Sequence, residues 1–275
     1  VADRMTRIKF TLKAFLLRIF FFSNEQKLLK GKLHSVSDKP SFIFFTVHKA
    51  ASSLLSIRLA PFFRKNNYVV ADLSSYWAKT DLHGRETFLK DAVARKNVFG
   101  TKGIFHVAFR FPIDIPEFEK IKILLVLRDP RDVLVSHYFS TRFSHPVLNN
   151  DFYDLKAKAE QLSIDEYVKF IAPDFKQRFA TYLSWTGKPN VLFYRYEDLI
   201  TDPQKFEKAF ADFSGLPVEK GEIVSEKDFV QKKEDQFAHK RHVHAGDHRN
   251  KLKPETIDWL NSFFGDILLQ LGYHQ

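Results

Sequence analysis

Three groups of polar residues, each placed directly after an apolar run, are spaced so that they could do chemistry. The first is His48, Lys49, Ser52 and Ser53 in "FFTVHKAASSLL" (44–55). A strand that turns into a helix points backbone N–H groups at whatever sits in the turn, and the helix dipole favours an anion there. Lys49 adds a full positive charge, and Ser52 and Ser53 add hydroxyl donors. An ordinary capped helix is the plainer reading of the same stretch. A nucleoside-triphosphate loop, G-x-x-x-x-G-K-[ST], puts lysine after its glycines. Here lysine comes first and the turn has no glycine, which argues against an ordinary ATPase or kinase. The second group is Arg128 and Ser136 in "LLVLRDPRDVLVSHYFS" (124–140), eight residues apart and so two helical turns along. Planar guanidinium and hydroxyl together suit a second phosphate. A surface arginine paired with Asp129 or Asp132 is the alternative. Tyr196 to Asp198, after "VLFYRY" (191–196), form the third group.

The elements that must position these residues follow from the apolar pattern. "FIFFTV" (42–47), "YVVADL" (68–73), "GIFHVAF" (103–109), "IKILLVL" (121–127) and "VLFYRY" (191–196) are short apolar runs that predict strands. Helical spacing predicts a helix from Ser52 or Ser53 to Pro61, and others over 84–96, 130–143, 151–184 (punctuated by Pro173), 203–214 and 254–272. Strands alternating with helices predict an α/β fold, with a mostly parallel sheet covered on both faces. Ligands of such sheets sit beyond the carboxyl ends of the strands, where all three polar groups fall. No repeat or low-complexity linker interrupts the chain, so a single domain over 1–275 is expected.

Composition narrows the classes. The 275 residues carry a net charge of +10, thirty phenylalanines and no cysteine. Without cysteine there is no disulfide scaffold, thiolate metal site or cysteine nucleophile, and a reducing compartment such as the cytoplasm is expected. The excess charge is confined to residues 1–32, with eight Lys/Arg against two Asp/Glu, and 231–253, with seven against three. A nucleic-acid binder spreads basic residues along a face or helix, so no nucleic-acid partner is expected. The 231–253 cluster better suits a compact anion. No stretch reaches the ~20 apolar residues of a membrane span. Residues 8–22 are broken by Lys9, Lys13 and Arg18. They predict an amphipathic helix packed on its own domain, with a helix lying on a membrane surface as the alternative. His239, His242, His244 and His248 invite a zinc reading, but no carboxylate or cysteine completes a familiar ligand spacing, and no metal is expected.

Taken together, "TVHKAASSL" and "LRDPRDVLVSHYFS" resemble the two cofactor signatures of sulfotransferases that use 3′-phosphoadenosine 5′-phosphosulfate (PAPS). "VLFYRYEDLITDP" (191–203) is similar to that family's strand-plus-"YEDL" segment, and "RHVHAGDHRNKL" (241–252) to its C-terminal "RKGxxGDWKN" segment. The four stretches keep the family's order over roughly residues 40–273. The resemblance implies that Lys49 binds the 5′-phosphosulfate and stabilises the leaving phosphate. The loop Ala50, Ala51, Ser52 and Ser53 would hold the same phosphate, and Arg128, Ser136 and Arg241 the 3′-phosphate. It places Tyr196 near the adenine, and matches His242 and Gly246 to the last motif. His106, in "GIFHVAF", lines up with the histidine of the family's "KTH" stretch, the general base toward the acceptor. The chain departs from the pattern at several positions. Ala50 and Ala51 replace a small polar residue and glycine, and alanine adopts a positive φ only with strain. Leu54 stands for a tryptophan, Phe105 for a threonine, His242 and Val243 for lysine and glycine, and His248 for tryptophan. His242 would make the 3′-phosphate grip pH-dependent.

The implied fold is a three-layer α/β/α sulfotransferase fold, P-loop-like in its first turn. The implied reaction moves the sulfuryl group of PAPS to an acceptor hydroxyl or amine and releases adenosine 3′,5′-bisphosphate (PAP). A non-catalytic nucleotide-binding relic and a diverged P-loop kinase are the alternatives. The acceptor, whether small molecule, lipid or sugar, is expected against 72–86 and 143–165, whose aromatic residues include Tyr76, Trp77, Phe143, Phe152 and Tyr153.

Overall fold

The computed structural model describes residues 16–17, 20–35, 37–80, 84–144, 150–230 and 245–273. Its first elements are α1 (Ser23–Leu29), β1 (Phe42–Thr46), α2 (Ser52–Lys65), β2 (Val69–Ala71) and α3 (Leu73–Thr80). Next come α4 (Gly84–Lys90), α5 (Ala92–Gly100), β3 (Ile104–Phe109), β4 (Lys122–Leu127) and α6 (Pro130–Phe139). The remainder is α7 (Asn150–Gln161), α8 (Ile164–Leu183), β5 (Val191–Arg195), α9 (Tyr196–Thr201), α10 (Pro203–Ser214), α11 (His248–Lys251), α12 (Pro254–Phe263) and α13 (Gly265–Gln270). The five strands form one parallel sheet in the order β2-β3-β1-β4-β5, flanked by helices. β1 and β4 are neighbours, and the chain leaves β1 for one side of the sheet and β4 for the other. Such a switch point is where doubly wound sheets bind ligands.

The chain divides into two compact units. The first comprises residues 1–44, 59–109 and 113–123. Within it β2 pairs with β3, Val69 opposite Ile104 and Ala71 opposite His106. Every residue of β3 is buried, as a strand covered on both faces requires. Its core is aromatic: Phe63 stacks on Phe105 at 4.1 Å and meets Phe42 at 4.9 Å. Such pairs contribute about 0.5–1.5 kcal/mol each beyond burial. Tyr76 and Trp77 belong to this core, Trp77 lying 5.1 Å from Phe88.

The second unit comprises 45–58, 110–112 and 124–275. Phe45 packs edge-on to Trp185 at 5.0 Å, and the Tyr182 hydroxyl donates to the Thr46 carbonyl at 3.1 Å. That bond ties α8 to the last residue of β1, just before the polar turn. Asp129 caps α6 by accepting from the Arg131 N–H at 2.9 Å, with Pro130 in the first turn, where its missing N–H costs nothing.

Helix boundaries differ from expectation where side chains compete for the backbone. Residues 84–96 make two helices, because the Asp91 side chain accepts from the Ala94 N–H and starts α5. The break in 151–184 falls at Ser163, whose capping box with Glu166 opens α8, and Pro173 is carried inside that helix. Pro61 likewise lies inside α2, on its exposed side, and the helix continues to Lys65. Leu73 starts α3 instead of extending β2, since Asp72 accepts from the Ser75 N–H. After Phe139 the helix widens into a π turn, Ser140–Ser144, where the Ser140 hydroxyl donates to the His137 carbonyl.

Candidate active site

All of the site described here lies within the second unit. After Thr46 the chain runs through buried Val47 and reverses over His48 to Ala51 before α2 begins. Lys49 has φ +67° and Ala51 φ +56°, left-handed conformations in residues that are not glycine. Each costs on the order of 1–3 kcal/mol and persists only where its surroundings hold it. Arg128 is one such holder. It leaves the carboxyl end of β4, is buried, and donates from Nη1 to the Lys49 carbonyl at 3.0 Å. Its guanidinium also lies 4.6 Å from the centre of the Tyr196 ring and 3.5 Å from Asp132. Burial works against its charge, but Tyr196, Asp132 and Glu197 more than offset that and raise its pKa.

Asp132 gathers a second set of contacts. Its carboxylate accepts from the Gly246 N–H at 2.7 Å, the His248 N–H at 3.0 Å and His248 Nδ1 at 2.7 Å. Burial alone would raise its pKa, yet the His248 hydrogen bond and the Arg128 charge hold it well below the carboxylate range. One carboxylate thus joins the 245–250 segment to Arg128. Ser136 lies on α6, half-buried, two turns beyond Arg128. Arg110, just past β3, donates from Nε to the Ser52 hydroxyl at 3.2 Å and brings a further cation to the start of α2.

Helix N–H groups, hydroxyls and cations thus gather at the carboxyl ends of β1 and β4, an arrangement whose chemistry suits an anion. A sulfotransferase domain model matches residues 116–272, more than half of the chain. The chain belongs to the sulfotransferase domain family. No curated protein sequence matches this sulfotransferase. Its fold is similar to that of mouse sulfotransferase SULT7A1, crystallised with PAP, at TM-score 0.54 and 14% identity, over 88% of this chain and 87% of that one. Retinol dehydratase in complex with retinol and PAP aligns at TM-score 0.46 and 15% identity, over 88% and 84% of the two chains. A sulfotransferase from Alicyclobacillus acidocaldarius aligns at 0.44 and 17%, over 86% and 95%. Likenesses this distant bear on the fold and not on the ligand.

Among the residues expected from sequence, the sulfotransferase turn brings Lys49, Ala50, Ala51, Ser52 and Ser53 onto one loop and helix start. Arg128, Tyr196 and Gly246 join them through the contacts above. Arg128 is a buried strap and not a surface arginine. It does pair with Asp132, while Asp129 turns to Arg131 at 2.7 Å. Arg241 and His242 lie outside the described residues, as do most of residues 8–22 and Phe152's side chain. His106 falls in the first unit, inside β3 and fully buried between Phe99 at 5.4 Å and Phe109 at 6.5 Å. Among the described residues neither ring nitrogen has a hydrogen-bond partner, and burial pulls its pKa down to about 3.

Sequence reasoning did not single out Arg110, nor the pairing of His48 with His137. Arg110 carries one readable signal, since it is the first charged residue after a buried strand. The pairing of two histidines 89 positions apart has no local signature, because only the sheet order makes β1 and β4 neighbours.

Proposed function

We propose that this sulfotransferase takes PAPS as its donor and transfers the sulfuryl group to an acceptor hydroxyl or amine, releasing PAP. The observation that carries the reading is the 3.0 Å bond from Arg128 to the Lys49 carbonyl. It fixes the element proposed for the 3′-phosphate directly against the turn proposed for the 5′-phosphate, as a nucleotide bearing both would need.

When bound, PAPS supplies an activated sulfuryl group and a phosphate leaving group. The protein's part is positioning and electrostatics, as in phosphoryl transfer. Lys49 meets the charge that grows on the bridging oxygen as the S–O bond breaks. Ser52, Ser53 and the first N–H groups of α2 hold the 5′-phosphate, and Arg128, Ser136 and the 241–246 segment hold the 3′-phosphate. Tyr196 lies near the adenine. These side chains supply the positive field, so the proposed mechanism needs no metal. We propose residues 1–275 as one catalytic domain, since all five strands belong to one sheet. The acceptor would be a small molecule, lipid or sugar. Among the described residues no helix is long and apolar enough to cross a membrane.

Calorimetry with PAP and AMP tests the donor. Both carry adenine and a 5′-phosphate, so only the 3′ site can separate them, and a preference for PAP of at least ~10²-fold is expected from charge-assisted bonds. Equal affinities would overturn the reading. Incubation with PAPS and a panel of hydroxyl and amine acceptors, scored by an ~80 Da mass gain, tests turnover; an inert protein that binds PAP would be a relic.

A further inference from the structure

His106 was expected to take the acceptor's proton, but its ring is buried beside aromatic side chains, and neither nitrogen has a hydrogen-bond partner among the described residues. A second histidine is placed otherwise. His48 immediately precedes Lys49 on the strained turn, and its side chain is half-buried. Its Nδ1 is itself buried and has no hydrogen-bond partner among the described residues. Leaving such an atom unpaired costs on the order of 1–3 kcal/mol, a cost that native structures seldom carry without a role for the group.

The surroundings hold that ring in one place. His137, on α6, meets it edge-on at 5.6 Å, and Phe175 on α8 packs against both rings, at 6.3 Å and 5.4 Å. His137 is held in turn: its Nδ1 lies 3.0 Å from the Tyr167 hydroxyl and 3.4 Å from the Thr141 hydroxyl. Burial pushes the Tyr167 phenol up to about 12, so it keeps a proton to donate.

We infer that His48 is the proton acceptor for the incoming nucleophile, with His137 as the residue that positions its ring. The inference rests on the sulfuryl-transfer reading above. As the acceptor oxygen forms its bond to sulfur, its O–H proton passes to the His48 imidazole. The S–O bond to the 5′-phosphate breaks, its electron pair stays on PAP, and the imidazolium later loses its proton to solvent. His48 is ready for this at neutral pH. Burial first, then the charges of His137, Arg110, Arg178 and Lys49 that face it, hold its pKa well below the usual histidine value and keep it unprotonated. Those cations would also favour the negative charge that develops on the acceptor oxygen.

The test uses the full-length protein with whichever alcohol gains mass in the acceptor panel. His48→Ala and the closer mimic His48→Gln should lower kcat by roughly 10²–10⁴, with PAP affinity by calorimetry within about threefold of the parent. Added imidazole should restore part of the His48→Ala rate, which a purely structural role would not allow. His106→Leu should retain most of the parent rate. Nitrogen NMR of histidine-labelled protein should show the His48 ring neutral at pH 6, the signal being assigned by its absence from the alanine variant. Folded His48 variants with kcat within threefold of the parent would overturn the inference, as would a charged His48 ring at pH 7 or a loss in His106→Leu as large as in His48→Ala. Any of these leaves the PAPS reading standing. Failure of the parent protein to bind PAP would overturn both.

Discussion

Replacing Arg128 by alanine should shrink the discrimination between PAP and AMP much more than it weakens AMP binding. In the folded protein the guanidinium holds the Lys49 carbonyl at 3.0 Å, Asp132 at 3.5 Å and the face of Tyr196 at 4.6 Å. Its removal leaves Asp132 as a buried charge short of one partner, a change that costs about 3–5 kcal/mol for a fully broken pair. Asp132 keeps three N–H donors from Gly246 and His248, so the lower end, about 3 kcal/mol of stability, is expected. On the ligand side the 3′-phosphate loses one charge-assisted contact, worth about 1.5–3 kcal/mol, or roughly 10- to 150-fold in Kd. Any slackening of the Lys49 turn weakens both nucleotides alike and cancels in their ratio. Calorimetric titration of the parent and Arg128→Ala with each nucleotide, below the variant's melting temperature, gives that ratio directly. Arg128→Lys keeps a charge but loses the planar fork, and should fall between the two. A variant that loses equal affinity for PAP and AMP would refute the assignment of Arg128 to the 3′-phosphate.

Lys49→Ala should lower kcat by about 10²–10³ in protein that still folds, since the strap engages its carbonyl; near-parent turnover would remove the lysine from the mechanism. His106 is buried and unprotonated with its pKa down at about 3, so its contribution to stability is present above the unfolded histidine value and is lost as pH falls through it. Taking about 6.5 for the unfolded state, one such group costs roughly 2 kcal/mol between pH 7 and pH 5. Urea unfolding of His106→Leu should show that much less acid sensitivity than the parent, and parallel losses would contradict the burial argument.

The fold was readable because the central strands β1, β3 and β4 are buried almost throughout. Runs such as "FIFFTV" and "IKILLVL" have no helical period, and all five strands begin and end within a residue or two of the apolar run. Helix ends were harder, since Asp91 and Ser163 reset the backbone through a single side-chain bond that apolar spacing does not register. In the site, residues next to a strand end were legible because parallel strands deliver their followers to one rim; Lys49 and Arg128 are examples. Their direct contact was not, because it depends on which strands are neighbours. His106 shows the opposite limit. It lines up with a motif, but the strand carries it inside the sheet, where neither nitrogen has a hydrogen-bond partner among the described residues.

The Arg128 strap grips Lys49 by its backbone oxygen, an atom every residue possesses. That bond is open to whatever side chain stands at position 49. On the proposed mechanism the charge and this strap are separate parts, and the sulfotransferase would be disarmed with the strap in place. A protein altered at Lys49 becomes a tool: it would hold nucleotide and acceptor together without consuming either. Trapped from a mixture of candidate metabolites, the retained molecule would name the acceptor by its mass.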